Sequence, residues 1–187
     1  MVKDEVMLVT AATITSILII PLVDKLISDY MRESEIHNST IINVIMRGGD
    51  MWGFVCILLS FLMYIILENK VLGLNAIKST LIGCTVARGL TVITGRARPF
   101  YSPNDSMNFN VFKGFKYSLS SLPSGHSTVA FAFAAAADKS MPKSQIKTVL
   151  LYSMACITAI SRVYHDKHWL SDVIMGGTLG YLIGSNI

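Results

Sequence analysis

The chemically useful side chains of this sequence fall in three short segments. Pro123-Ser124-Gly125-His126 has the composition of a helix start. Ser124 is a good cap, and first-turn N–H groups with the positive end of the helix dipole attract an anion such as phosphate. Gly125 lets the backbone approach phosphate oxygens closely, and His126 stands where it can protonate a departing oxygen. The segment Ser161 to Asp172 holds His168 and Asp172 at a spacing of four. If a helix already begins at His168, the pair shares one face, Asp172 can accept the Nδ1–H, and the Nε2 lone pair is left free to attack. Arg98, within Gly95-Arg96-Ala97-Arg98-Pro99, and Arg162 are planar, permanently charged donors suited to bidentate contact with phosphate oxygens.

Each feature taken singly has an ordinary structural reading as well. The tetrapeptide also fits a plain helix cap followed by an interfacial histidine, and the His168/Asp172 pair fits a surface ion pair at a helix start. Either arginine alone fits a side chain snorkelling from a span end. Only the combination is specific.

Composition says what must position these groups. With 52% hydrophobic residues, 15% charged residues and a mean hydropathy of +0.52, the chain reads as all-α and membrane-embedded. Six stretches are expected to span: Val6 to Val23, Met51 to Leu67, Leu72 to Ile93, Ser124 to Ala137, Ile146 to Val163 and Leu170 to Ile187. The first reads as a retained span, because Asp4 and Glu5 sit in its leader and no small-residue cleavage site precedes Val23. Gly176, Gly180 and Gly184 repeat every four residues, a bare stripe that reads as packing. The long connections, Asp24 to Asp50 and Thr94 to Pro123, emerge on one face, to which all three segments also map. Residues Ile41 to Met46 fit either a short interfacial helix or a re-entry segment before the next span, and no catalytic role is expected of that segment. No repeat or linker divides the chain, so a single domain over residues 1–187 is expected.

The net charge of +4 comes from sixteen Lys and Arg scattered through apolar sequence without a basic stripe, which argues against nucleic acid as a partner and for an anionic substrate and lipid headgroups. Cys56, Cys84 and Cys156 each sit in an apolar run without metal-ligand spacing, so neither a disulfide nor a zinc site is expected.

Together, Gly-Arg-Ala-Arg-Pro, Pro-Ser-Gly-His and Ser-Arg followed by His six residues and Asp ten residues beyond the arginine resemble the tripartite signature of the type-2 phosphatidic acid phosphatase superfamily. The resemblance covers the region from about Arg88 to the C-terminus. It implies that Arg98 and Arg162 bind phosphate, Ser124 and Gly125 contribute to an oxyanion cradle, His126 is the general acid, His168 the nucleophile and Asp172 its orienting partner. One position departs from the family pattern: a lysine usually stands seven residues before the arginine of the first motif, and here that place is Thr91. Arg88, one turn earlier, either reaches forward to replace it or pairs with an acidic group elsewhere, and the Thr91 hydroxyl can give a hydrogen bond. Arg96 occupies the motif's variable part, so its loss is expected to be milder than that of Arg88.

The reaction so implied is a two-step phosphoryl transfer through a phosphohistidine, with no metal or other cofactor. The four histidines and the scattered carboxylates do not gather as a two-metal site requires. A site at the membrane surface beside Trp169 favours a lipid phosphate as substrate, with undecaprenyl diphosphate, phosphatidate, phosphatidylglycerol phosphate and lipid A phosphates as candidates. The aromatic and lysine-bearing loop from Phe100 to Leu122 either covers the headgroup or is simply solvated. A phosphotransferase that passes the group to a lipid or sugar hydroxyl is the alternative. A soluble vanadate-dependent haloperoxidase is disfavoured by the spans, and a non-enzymatic lipid transporter by the intact histidine and carboxylate set. Lys and Arg do not differ enough between the faces to orient the chain. Resemblance to bacterial relatives implies a bacterial inner membrane with the site facing the periplasm or exterior.

Overall fold

The protein is described here by a computed structural model covering residues 23–67 and 70–187, with residues 7, 10, 11 and 14 described singly. The expected span Val6 to Val23 lies almost wholly outside the described residues. Among those described there are six α-helices and no strands: α1 (Lys25–Glu33), α2 (Thr40–Ile66), α3 (Lys70–Thr94), α4 (Gly125–Ser140), α5 (Gln145–Tyr164) and α6 (Leu170–Ser185). Single 3-10 turns lie at Glu35–Asn38 and Tyr117–Leu119.

Helices α2, α3 and α5 have 27, 25 and 20 residues and are long and apolar enough to cross a membrane. Helices α4 and α6 fall short of that criterion. Each has 16 residues, about 24 Å of helix at 1.5 Å per residue against a hydrocarbon core of about 30 Å. Their location explains the shortfall. They form the centre of the bundle, packed most extensively on each other, while α2, α3 and α5 carry the exposed large side chains, among them Phe54, Leu58, Phe61, Ile65, Leu81, Ile82, Val149 and Leu150.

The interior is built from small residues, as close packing without a hydrophobic driving force requires. Ala130, Ala132, Ala134, Ala135, Ala136 and Ala137 of α4 are buried. The α6 glycine stripe lies directly on the α4 backbone: a Cβ on Gly176, Gly180 or Gly184 would stand 2.5, 2.2 or 2.3 Å from the carbonyl oxygens of Ser124, Thr128 or Ala132.

Helix α2 begins eleven residues before the expected Met51. Ser39 caps it, its Oγ accepting from Ile42 N at 3.4 Å, so Ile41 to Met46 form the first turns of one continuous helix and not a separate interfacial element. Its buried glycines allow close approach to α5 and α4, since a Cβ on Gly49 would meet the Ile157 carbonyl at 2.9 Å and one on Gly53 would meet the His126 ring at 3.0 Å. The helices after α1 alternate in direction. The C-terminal ends of α3 and α5, the N-terminal ends of α4 and α6, and Asp50 of α2 therefore share one end of the bundle.

Candidate active site

Gly95 ends α3 in the left-handed region at φ +57°, its N–H donating to Thr91 O at 3.1 Å, and a Cβ there would collide with Asn110 O at 1.6 Å. The chain after it is therefore turned inward. Ala97 N donates to Asn108 O and Asn110 N to Gly95 O, so the long loop folds back on its own start and holds Arg96 and Arg98 at the bundle end. The loop's Phe100, Tyr101, Phe112, Phe115 and Tyr117 are exposed, and Tyr117 also meets Arg98, whose guanidinium lies 4.1 Å from its ring centre.

Arg98 is buried. Its Nη2 donates to Ser120 O at 3.0 Å and its Nη1 to Lys167 O at 3.3 Å, while its Nε has no acceptor. Arg162, at the end of α5, is buried too. Its Nη1 is paired with Asp50 at 2.6 Å, and its Nε likewise lacks an acceptor. Two buried guanidinium N–H groups left open at one bundle end are what a site for an oxyanion requires, because a buried donor without an acceptor carries a penalty that a bound anion relieves.

Ser124 caps α4 as expected, its Oγ accepting from Ser127 N at 3.4 Å. Its own N–H is taken by Asp172 O at 3.0 Å, which ties the start of α4 to α6. At Gly125 the space is open, since an added Cβ would meet nothing within 4 Å. His126 is held by the close approach of Gly53 and an edge-on contact with Phe54 at 5.0 Å. Gly125, His126, Arg98 and His168 all line one cavity of about 210 Å3, whose remaining wall is formed largely by α2 and α3.

His168 is buried, and its surroundings differ from the sequence reading. Helix α6 starts at Leu170, so His168 lies just before it and not in its first turn. Asp172 occupies the third helical position and turns back to accept the Trp169 N–H at 2.9 Å, which closes the helix end. That capping keeps its carboxylate 3.7 Å from His168 Nδ1. The nearer acceptor is Ser121 O, 2.7 Å from Nδ1. At these distances the Ser121 carbonyl takes the hydrogen bond, and Asp172 acts on His168 by its charge and by gripping Ser121, whose Oγ donates to Oδ2 at 2.5 Å. The consequence expected for the tautomer is unchanged: Nδ1 carries the proton and Nε2 keeps its lone pair. Burial pushes His168 down to about 4, with Asp172 pulling upward and Arg98 and Arg162 pushing further down.

Two residues of the first long connection that were not among the expected site residues touch the motifs directly. Asp50 pairs with Arg162 and lies 3.2 Å from His165 Nδ1, and Asp24 is fully buried against Arg96 at 2.7 Å. Arg96 itself corrects the reading of a variable position. It is fully buried, bridges Asp24 and Asp172, and lies between the rings of Phe109 and Trp169. Removing it would leave two carboxylates unpaired in the interior, a change that costs about 3–5 kcal/mol when a buried pair is broken. Ser121 was also missed. Asp24, Asp50 and Ser121 carry no sequence signal, and Arg96, although inside a motif, shows its role only by what it meets across the fold.

At the departure from the family pattern, the Thr91 hydroxyl donates to Arg88 O within its own helix at 2.8 Å, and Arg88 Nη1 donates to Gly114 O at 3.2 Å. Both line the cavity with Arg98. If Arg88 supplies the cation missing at Thr91, Arg88→Ala raises KM and weakens vanadate inhibition by about tenfold each, the value of one charge-assisted hydrogen bond, and adding Thr91→Lys restores part of both. Unchanged inhibition by vanadate would remove Arg88 from the phosphate site.

The PAP2 superfamily model matches residues 58–186, which is more than half of the chain. The chain belongs to the PAP2 superfamily. Within it, the chain is 40% identical over 65 residues to a lipid A 1-phosphatase of Porphyromonas gingivalis, a stretch covering 34% of this chain and 15% of that relative's length. Two solved PAP2-like folds are similar. The transmembrane PAP2-type phosphatidylglycerolphosphate phosphatase of Bacillus subtilis superposes with a TM-score of 0.65 at 21% identity, covering 96% of this chain and 92% of the other. LpxE of Aquifex aeolicus gives 0.57 at 19% identity, covering 85% and 90%. These likenesses establish the all-α PAP2 membrane fold over nearly the whole chain, and the three motifs lie inside the matched family region.

Proposed function

We propose that this chain is an integral membrane phosphatase that hydrolyses a phosphomonoester or diphosphate of a lipid through a phosphohistidine, without a metal. The observation that carries the reading is the pair of buried guanidinium groups, Arg98 and Arg162, each with an Nε–H lacking an acceptor, beside a buried histidine whose Nδ1 is committed to Ser121 O. Arg98 and Arg162 with the first-turn N–H groups of α4 hold the phosphate oxygens. The His168 Nε2 lone pair forms the N–P bond as the P–O bond to the lipid breaks, and His126 gives its proton to the departing oxygen. His126 then takes a proton from water, whose oxygen displaces His168 and yields inorganic phosphate.

A lipid substrate is supported by the cavity wall, where Phe54, Ile57, Ala87 and Val129 offer apolar surface beside the arginines, and by relatives named for lipid A 1-phosphate and phosphatidylglycerolphosphate. The site opens toward the periplasm or exterior of a bacterial inner membrane in this reading, as the family resemblance implies.

The test is phosphate release from a panel of lipid phosphates and diphosphates by purified protein in detergent. Release is expected to survive EDTA and to be inhibited by vanadate. Loss on chelation that magnesium or zinc restores would overturn the mechanism, and label passing to an added hydroxyl acceptor in place of water would make the chain a phosphotransferase.

The pH dependence follows from His168. Because burial holds it near 4, it is already neutral and nucleophilic at pH 6, so kcat/KM is expected to fall on the acid side only as pH drops toward about 4. Between about 4 and the ordinary 6.5 the unfolded chain binds this proton and the folded chain does not. Stability from this group is therefore complete above about 6.5 and declines as pH falls through that window. An acid limb centred near 6.5 in the free enzyme would contradict the buried, neutral nucleophile.

A further inference from the structure

Asp172 does not stand alone behind His168. Its Oδ1 accepts from Arg96 Nη1 at 2.5 Å, and Arg96 Nη2 donates to Asp24 Oδ2 at 2.7 Å. Ser171 joins the same group: its Oγ accepts from Arg96 at 2.7 Å and donates to Asp24 at 2.5 Å, and its N–H donates to Asp24 Oδ1 at 2.9 Å. Asp24, Arg96, Ser171 and Asp172 are all fully buried.

The chemistry proposed for His168 puts a positive charge on its ring as the N–P bond forms, and an adjacent carboxylate stabilises that cation. An Asp172 paired only with Arg96 would present a neutral unit to the ring. Asp24 changes this balance. Burial pushes the Asp24 carboxyl up, and Arg96 and Ser171 oppose that push; with Asp24 ionised, two carboxylates and one guanidinium leave one net negative charge behind the nucleophile, little screened in the low-dielectric surroundings.

We propose that Asp24, which lies outside all three motifs, is a positioning residue of the catalytic group. Acting through Arg96, it keeps Asp172 effectively negative toward His168 and so supports formation of the phosphohistidine. This rests on the phosphatase reading with His168 as nucleophile. Asp24 touches neither the substrate cavity nor His168, so its effect belongs in kcat and not in KM.

The test uses the full chain in detergent, with kcat, KM, melting temperature and the single-turnover rate of phosphoenzyme formation as readouts. Asp24→Asn keeps the size and an acceptor for the Ser171 N–H, but it removes the charge and puts an amide donor where Oδ2 accepts from Ser171 Oγ and Arg96. It is expected to lower kcat and the phosphorylation rate by about thirtyfold, on the order of what one charge beyond a guanidinium supplies at protein-like dielectric, with KM within about twofold. The double variant Asp24→Asn with Arg96→Gln removes one charge of each sign and restores the single negative charge on Asp172. It is expected to recover kcat to within about tenfold of wild type, at least fivefold above Asp24→Asn. A purely structural role predicts the opposite order, with the double variant worse than the single. Wild-type kcat in a folded Asp24→Asn protein, or a folded double variant slower than Asp24→Asn, overturns the proposal. If Asp24→Asn does not fold, the double variant decides by itself, since it removes one charge of each sign while Asp172 keeps the Ser121 Oγ and Trp169 N–H donors: kcat within about tenfold of wild type supports the proposal, and a loss beyond a hundredfold or failure to fold overturns it. Failure of the phosphatase reading shows separately, as wild-type protein that releases no phosphate or as a His168→Ala protein that still forms phosphoenzyme.

Discussion

His168→Ala is expected to abolish turnover and phosphoenzyme labelling while the protein remains folded in detergent. The expected loss is several powers of ten, because the N–P bond of the proposed intermediate is made by this imidazole, and the arginines and helix start only bind. The structural penalty is bounded by what the ring touches. Its Nδ1 bond to Ser121 O is lost, which costs about 1–2 kcal/mol including the carbonyl left behind. The Asp172 carboxylate keeps Arg96, Ser121 Oγ and the Trp169 N–H, so no charge is stranded by the change. Residual activity above about a hundredth of wild type would exclude His168 as nucleophile.

Gly180→Ala is expected to cost a large share of stability for a change of one methyl group. The added Cβ would stand 2.2 Å from Thr128 O, 2.9 Å from Ala132 N and 3.0 Å from Phe131 Cβ. Two of these atoms are backbone of α4, so relief requires the two central helices to move apart along their most extensive contact. Overpacking ordinarily costs about 1–3 kcal/mol, and a backbone collision places this substitution at or above the upper end. Gly176→Ala presses on Ser124 O at 2.5 Å and is expected to cost activity as well, because Ser124 begins the helix turn that cradles the phosphate. Gly48→Ala and Gly89→Ala are the controls. Each has open space around the new Cβ, and each replaces a helical glycine with a residue about 1 kcal/mol better suited to a helix. Melting curves in detergent that fail to separate Gly180→Ala from these controls would show that the stripe is not a packing surface.

What the sequence determined by itself rests on local rules. The all-α class follows from long apolar stretches, the α4 start from the Ser124 cap and Gly125, and the packing role of Gly176, Gly180 and Gly184 from their four-residue period. Gathering Arg98, His126, Arg162 and His168 at one end followed from counting spans, since residues at alternating helix ends must return to the same face. The boundaries were less legible. The start of α2 at Thr40 depends on a single serine cap, and the charged Arg47 and Asp50 after it interrupt the apolar run that hydropathy follows.

Tertiary structure decided the partners. Nothing in the spacing of His168 and Asp172 shows that the carboxylate caps its own helix and yields the Nδ1 bond to Ser121 O, because that choice depends on where α6 begins and on a loop arriving from 47 residues away. Arg96 reads as a variable motif position, yet it is the hub of a buried network, since its two carboxylates lie 72 and 76 residues distant. Asp24 and Asp50 have no pattern around them at all. A local motif records what a residue must be for its own turn of chain. Charges in a membrane interior are tolerated only where the fold brings them a counter-charge, and that meeting is a property of the packed bundle.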